Sequence, residues 1–141
     1  DTYMHTVGFA ARNVHRGVVT GKSISCGGSE GREKATGQGL VYLIEEWARG
    51  RKLDLSRMSY ILQGFGNVGS WTAVLLSQIG AKCLAVMDHK GGITNGDGIA
   101  IDALNKHVKE TGSVDGFAGA KTVKAEEFWA IPADIAIPAA L

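Results

Sequence analysis

The sequence predicts an α/β protein built on a doubly wound parallel sheet. Three short apolar runs of strand length alternate with segments whose apolar residues recur at helical spacing. The order strand–helix–strand–helix–strand is typical of a right-handed parallel unit, the first half of such a sheet. We expect the sheet to be incomplete at its C-terminal end, because the sequence stops directly after the third predicted strand.

The first elements precede the sheet. Residues 1–14 have apolar side chains at spacing compatible with a helix. A second helix is predicted over residues 33–49, and Gly50 would end it. Trp47 falls on the apolar face of this helix, so it is predicted to be buried. Gly37, near the start of the helix, predicts close packing or ligand approach, because glycine is costly inside a helix.

The remaining elements follow from shorter patterns. Apolar runs predict strands at residues 60–63, 82–87 and 134–137. Helical spacing predicts helices at residues 67–79 and 99–111, with a short helix at 125–130. A stretch rich in Gly, Asn and Asp predicts a loop over residues 88–98.

A Gly-x-Gly-x-x-Gly motif lies between the first predicted strand and its helix. Gly64 permits a tight turn, Gly66 lets a pyrophosphate approach the backbone, and Gly69 lets the helix lie against the strand. The turn residues Phe65 and Asn67 lie between them, where the positive end of the helix would face the phosphates. This context predicts a Rossmann-like dinucleotide-binding unit.

Asp88 supports the same interpretation. It ends the second predicted strand, about 20 residues beyond the glycine motif, where an acidic side chain can bind a ribose 2′-hydroxyl. A carboxylate there favours NAD, because it repels a 2′-phosphate. His89 and Lys90 follow directly, and either side chain could offset that repulsion. We therefore predict NAD as the cofactor, with some use of NADP allowed.

Composition limits the other partners. Hydrophobic residues make up 45% and charged residues 21% of 141 residues, as in one ordinary globular domain. The net charge of +1 argues against a nucleic acid or a membrane surface as partner. Cys26 and Cys83 are predicted to be buried thiols in a reducing cytoplasm. No His, Cys, Asp or Glu spacing predicts a metal site.

Several stretches carry a family resemblance. Residues 27–32 read Gly-Gly-Ser-Glu-Gly-Arg and residues 35–39 read Ala-Thr-Gly-Gln-Gly. With residues 19–22, 63–69, 91–98 and 137–141, they resemble the family of glutamate, leucine, phenylalanine and valine dehydrogenases, and within it the glutamate enzymes. The resemblance implies oxidative deamination of L-glutamate to 2-oxoglutarate and ammonia with NAD(P). It also implies a cytoplasmic, usually hexameric enzyme.

The resemblance also assigns residues to the cofactor site. It implies that Thr36 hydrogen-bonds the nicotinamide carboxamide, although threonine also serves as a helix N-cap. Asn67 would contact the cofactor or cap its helix, and Val68 would offer a backbone N–H group. Ala139 and Ala140 follow the third strand, where small side chains would let the main chain approach the cofactor ribose.

The same resemblance places the catalytic residues outside this chain. We expect a partial cofactor-binding domain over residues 1–141, with the nucleotide unit at about 57–141 and a helical segment at about 1–56. The substrate domain would precede Asp1, so no catalytic residue is assigned here and the chain is not expected to be active alone. Two alternatives stay open, a non-catalytic NAD-binding regulatory module and another amino-acid dehydrogenase of the same family.

Overall fold

The computed structural model describes residue 6, residues 17–18 and residues 21–140. The helix predicted over residues 1–14 lies outside the described residues, apart from Thr6. The chain divides into two compact units, residues 1–36 and residues 37–141. The domain plan predicted for the full-length protein stays a prediction.

A short 3-10 helix, Ile24–Cys26, marks the first unit. It ends at Gly27, whose φ of 86° is the left-handed conformation that glycine adopts without strain. Cys26 is buried, and so is Cys83 in the second unit; neither forms a disulfide. The prediction of buried thiols is therefore confirmed.

Helices and strands make up most of the rest of the chain. The helices are α1 (Ala35–Arg51), α2 (Asn67–Ile79), α3 (Ile101–Thr111) and the one-turn α4 (Ala125–Phe128), with a 3-10 turn at Leu55–Arg57. The strands are β1 (Ser59–Gln63), β2 (Lys82–Met87), β3 (Gly92–Thr94), β4 (Lys121–Val123) and β5 (Ile135–Pro138).

The five strands form one sheet in the order β4-β3-β2-β1-β5. β1 is the middle one of the three parallel strands, with β2 and β5 on either side of it. Asp134 fixes the start of β5, because its Oδ2 accepts hydrogen bonds from the Ser59 backbone N–H at 2.7 Å and from the Ser59 hydroxyl at 2.8 Å. The α/β class and the three parallel strands confirm the sequence prediction.

Each face of the sheet has its own hydrophobic layer. Helices α1, α2 and α3 supply Ile44, Leu76 and Leu104 to the core on one face, around Tyr60 and Leu62. On the other face, Phe128 of α4 packs with Ile61, Ala85 and Val123. Helices on both faces of a largely parallel sheet are what defines the doubly wound class.

Three local predictions were wrong. The predicted loop over residues 88–98 contains β3, which pairs antiparallel with β2, and β4 then pairs antiparallel with β3. Gly50 does not end α1, which continues to Arg51 and stops where Lys52 has a φ of 56°. Trp47 is 38% exposed, because the buried stripe of α1 runs instead through Val41, Ile44 and Ala48.

Gly37 is one predicted close approach that the structure bears out. A Cβ at Gly37 would lie 2.9 Å from the Cβ of Trp71 and 3.1 Å from the carbonyl oxygen of Val68, both on α2. The backbones of α1 and α2 therefore touch at this point.

An apolar groove lies beside strand β5. Leu43, Ile44 and Trp47 of α1 line it with Ile135 and Ala136, around a cavity of about 300 Å³. Leu43 is 70% exposed. Among the described strands, β5 has a partner on its β1 side and none on the other.

Candidate dinucleotide site

Three parallel strands end at the same level. Gln63, the last residue of β1, is in register with Met87 of β2 and with Pro138 of β5. The chain leaves β1 toward β2 on one side, and β5 lies on the other side. This is a topological switch point, where open α/β sheets form a crevice beyond the carboxyl ends of their strands.

Gly64 makes the turn that leaves β1. Its φ is +93°, a conformation that side chains other than glycine rarely adopt. A Cβ at Gly64 would lie 2.8 Å from the Cβ of Ala140 and 2.9 Å from the carbonyl group of Ala139. The turn is anchored on one side by the Gly64 N–H donating to the Met87 carbonyl oxygen at 2.6 Å.

Gly69 brings α2 against this turn. A Cβ on Gly69 would lie 2.9 Å from the carbonyl carbon of Gly64 and closer still to its oxygen. The first turn of α2 is therefore held against the end of β1 by backbone contact. Gly66 caps α2 with extended backbone and differs from both, since a Cβ there would meet nothing within 4 Å. Its space opens away from the protein.

A cavity of about 460 Å³ lies beyond these strand ends. Six of the predicted cofactor residues line it, namely Gly64, Phe65, Gly66, Asp88, Ala139 and Ala140. Three others, Asn67, Val68 and Gly69, form the first turn of α2 directly after the lining residue Gly66. Thr36 is the second residue of α1, and its role in cofactor binding stays a prediction.

The sequence reasoning missed four lining residues. Gln63 and Met87 end their strands, so the rule that parallel sheets bind ligands at their carboxyl ends could have found them. Val108 and Gly112 come from the end of α3, and no local sequence signal places a helix end beside the glycine turn. His89, which directly follows Asp88, also lines the cavity.

Asp88 is held by backbone groups from two segments. Its Oδ1 accepts hydrogen bonds from the N–H groups of Lys90 at 2.8 Å and Gly91 at 3.2 Å, and its Oδ2 accepts one from Val114 at 2.8 Å. Burial alone would raise the pKa of this carboxyl group. The hydrogen bonds from Val114, Lys90, Ser113 and Gly91 outweigh burial, so the pKa lies below its usual value and the group is ionised at neutral pH.

This lowered pKa predicts acid sensitivity. A carboxyl group whose folded-state pKa is depressed stabilises the fold above its unfolded pKa of 3.8 and loses that contribution as the pH falls through the folded value. We expect Asp88→Asn to lower the urea midpoint of the full-length protein at pH 7 and to lower it less at pH 3. The control is Asp97→Asn, at an exposed loop position. An equal cost of Asp88→Asn at both pH values would contradict the prediction.

The described part of the chain offers few other reactive or metal-binding groups. Within it, no three His, Cys, Asp or Glu side chains gather as a metal site would require. Burial raises the pKa of the Cys83 thiol to about 12, so it stays protonated and unreactive. No helix among the described residues is both long and apolar enough to cross a bilayer.

The fold and the glycine turn define a Rossmann-like α/β domain. The profile of the Glutamate/Leucine/Phenylalanine/Valine dehydrogenase family matches residues 27–141. The chain therefore belongs to this family of oxidoreductases, whose glutamate dehydrogenases generally use nicotinamide cofactors.

Solved glutamate dehydrogenases share the fold. The hetero-hexameric enzyme of Thermus thermophilus, in a leucine-bound form, is 34% identical with a TM-score of 0.82, over 99% of this chain and 32% of that one. The Plasmodium falciparum enzyme is 27% identical with a TM-score of 0.79, over 89% and 28%. The Peptoniphilus asaccharolyticus enzyme is 27% identical with a TM-score of 0.64, over 86% and 27%. The chain thus spans 27–32% of the length of these relatives.

Proposed function

We propose that this chain is the cofactor-binding segment of a glutamate dehydrogenase and binds a nicotinamide dinucleotide at the carboxyl ends of β1, β2 and β5. The observation that carries the proposal is the glycine turn over an open cavity. Gly64 and Gly69 are locked in backbone contacts, whereas Gly66 faces free space where a phosphate group fits. The similarity to several glutamate dehydrogenases supports glutamate over the other substrates of the family.

In this proposal the pyrophosphate lies over Gly64–Gly69. The N–H groups of Asn67 and Val68, in the first turn of α2, point toward it with the positive end of the helix dipole. The adenosine ribose lies near Asp88, and Ala139 and Ala140 border the nicotinamide ribose. Each of these residues except Asn67, Val68 and Gly69 lines the cavity.

The proposed reaction is the oxidative deamination of L-glutamate to 2-oxoglutarate and ammonia. A nicotinamide group bound in this cavity would supply the acceptor for the hydride that leaves the Cα of glutamate, and water would supply the oxygen of 2-oxoglutarate. The residues of this chain bind and orient the dinucleotide, which lowers the entropy cost of bringing the two reactants together. The groups that move protons are proposed to lie in a separate substrate domain of the full-length protein.

We further propose that NAD is preferred over NADP. The ionised Asp88 repels a 2′-phosphate, and a pair of like charges about 4 Å apart costs about 4 kcal/mol at an effective dielectric constant near 20. His89 and Lys90 are both exposed beside it and free to turn toward a phosphate, so measurable NADP use is expected.

The proposal also covers the oligomeric state and the cellular location of the full-length protein. The Thermus thermophilus relative is a hetero-hexamer, and we propose that the full-length protein is a homo-oligomer, with hexamer as the expected state. Buried thiols at Cys26 and Cys83 suit a reducing compartment, which supports the cytoplasm. Neither a nucleic acid nor a membrane is proposed as a partner.

The direct test is an activity assay. We expect the full-length protein to reduce NAD in the presence of L-glutamate, with a higher kcat/KM for NAD than for NADP. Residues 1–141 alone are expected to show no such activity, because positioning without acid–base groups does not complete the reaction. Leucine, phenylalanine and valine serve as comparison substrates.

Each outcome separates the alternatives. Faster turnover with one of the comparison amino acids would assign the protein to another branch of the family. Tight NAD binding without turnover of any amino acid would favour a regulatory module. Glutamate-dependent NAD reduction by residues 1–141 alone would contradict the proposal that the proton-transferring groups lie in a separate substrate domain.

A further inference from the structure

Asn95 and Gly96 begin an exposed turn directly after β3. The Gly98 N–H donates to the Asn95 carbonyl oxygen at 3.0 Å and closes the turn, and the Asn95 N–H donates to the Leu84 carbonyl oxygen at 2.9 Å. Gly96 and Asp97 are both exposed, and a Cβ at Gly96 would meet nothing within 4 Å. Because glycine has no side chain, the backbone nitrogen of Gly96 can approach the side chain of the preceding asparagine with little hindrance.

Two hydrogen bonds hold the side-chain amide of Asn95 over this turn. Its Oδ1 accepts from the backbone N–H of Asp97 at 2.9 Å, and its Nδ2 donates to the Gly119 carbonyl oxygen at 2.9 Å. The bond to Asp97 spans the intervening residue Gly96, so the side-chain carbonyl group is folded back along the backbone toward the Gly96 nitrogen. The bond to Gly119 ties the end of β3 to the segment that leads into β4.

The same two bonds suit the deamidation of asparagine. When the Gly96 nitrogen loses its proton to water and attacks Cγ of Asn95, an N–Cγ bond forms and negative charge develops on Oδ1. The Asp97 N–H already donates to that oxygen and stabilises the charge, as a backbone donor does in an oxyanion hole. The Cγ–Nδ2 bond then breaks, and the nitrogen takes up a proton and leaves as ammonia.

Water completes the reaction and changes the contact with Gly119. Cleavage of the succinimide ring at Cγ gives aspartate, and cleavage at the main-chain carbonyl carbon gives isoaspartate. A cavity of about 550 Å³, lined by the turn and by residues 118–121, lies beside the amide and gives water access to the ring. The new carboxylate cannot donate to the Gly119 carbonyl oxygen, so the hydrogen bond between them is lost.

We propose that the turn at Asn95 and Gly96 is a self-modification site, where Asn95 deamidates through a succinimide in the folded protein and releases the end of β3 from the segment before β4. The inference does not depend on the proposed dinucleotide function.

The test is peptide mapping by mass spectrometry after incubation of the full-length protein at neutral pH. We expect aspartate and isoaspartate to accumulate at Asn95 and not at Asn105, which lies inside α3, where the next backbone N–H is held by the helix. In concentrated urea the reaction at Asn95 should slow about tenfold, because unfolding removes the Asp97 donor. The control Asn95→Gln, whose longer side chain cannot close the same ring, should stay unmodified.

A second measurement concerns the released contact. Asn95→Asp carries the product carboxylate from the start, and we expect it to show without incubation the lowered urea midpoint that the incubated wild type reaches. Faster deamidation of Asn95 in urea than in the folded protein would show that the turn protects the side chain, which would overturn the inference. Equal urea midpoints for Asn95→Asp and the fresh wild type would overturn it as well, because no stabilising contact would then be released.

Discussion

Gly66→Val is expected to weaken dinucleotide binding strongly while the fold stays intact. Gly66 has ordinary extended backbone, with φ −79° and ψ −158°, and a Cβ there meets no protein atom within 4 Å. The Cβ of a valine therefore fits the free protein without a close contact. Its methyl groups would occupy the space proposed for the pyrophosphate, and we expect affinity to fall about a hundredfold or more, equivalent to ~3 kcal/mol.

Fluorescence titration of the full-length protein with NADH measures this loss, and the urea midpoint reports on the fold. Gly96→Val is the matched control, since a Cβ at Gly96 also meets nothing within 4 Å and Gly96 lies outside the cavity. It should change neither quantity. Unchanged NADH affinity in Gly66→Val would show that the pyrophosphate does not bind at the glycine turn.

Gly69→Ala, unlike Gly66→Val, is expected to lower the stability of the fold. Alanine is favoured over glycine inside a helix by about 1 kcal/mol. Here, however, the added Cβ would lie 2.9 Å from the carbonyl carbon of Gly64 and closer still to its oxygen. Neither backbone can give way without moving α2 from β1, so we expect a net loss of about 3 kcal/mol in the free energy of unfolding.

Urea unfolding of the full-length protein measures the effect. Gly50→Ala provides the control, because Gly50 is an exposed residue of α1 whose Cβ would meet nothing within 4 Å. That variant should be neutral or slightly stabilised, in line with helix propensity. If both variants shift the midpoint in the same direction by similar amounts, propensity and not contact decides the outcome at Gly69.

Strand β1, the turn after it and α2 could be predicted from sequence because their signals are local. An apolar run, glycines at fixed spacing and an apolar helical pattern lie within residues 59–79, and the structure places β1 and α2 there. Apolar runs in the sequence also predicted where β2 and β5 end. Parallel topology then brought their carboxyl ends to one edge, which gave most of the cavity lining.

The elements that were missed depend on contacts between distant residues. β3 consists of Gly92, Ile93 and Thr94, and it is a strand because β2 offers a partner, not because of its composition. Trp47 was placed in the core because apolar residues cover much of α1, so the sequence pattern did not define which stripe is buried. Val114, the partner of Asp88 across 26 residues, had no local signal at all.

The groove beside β5 bears on how residues 1–141 would behave as an isolated polypeptide. A strand edge without a partner is a template for pairing. Among the described strands, β5 has no partner on its outer side, and exposed Leu43 and Trp47 add an apolar surface next to that edge. Such a polypeptide would associate through this edge as its concentration rises. Its apparent melting temperature would then report assembly as well as folding. A lysine in place of the exposed Ala136 on that strand would oppose the association through charge repulsion between copies.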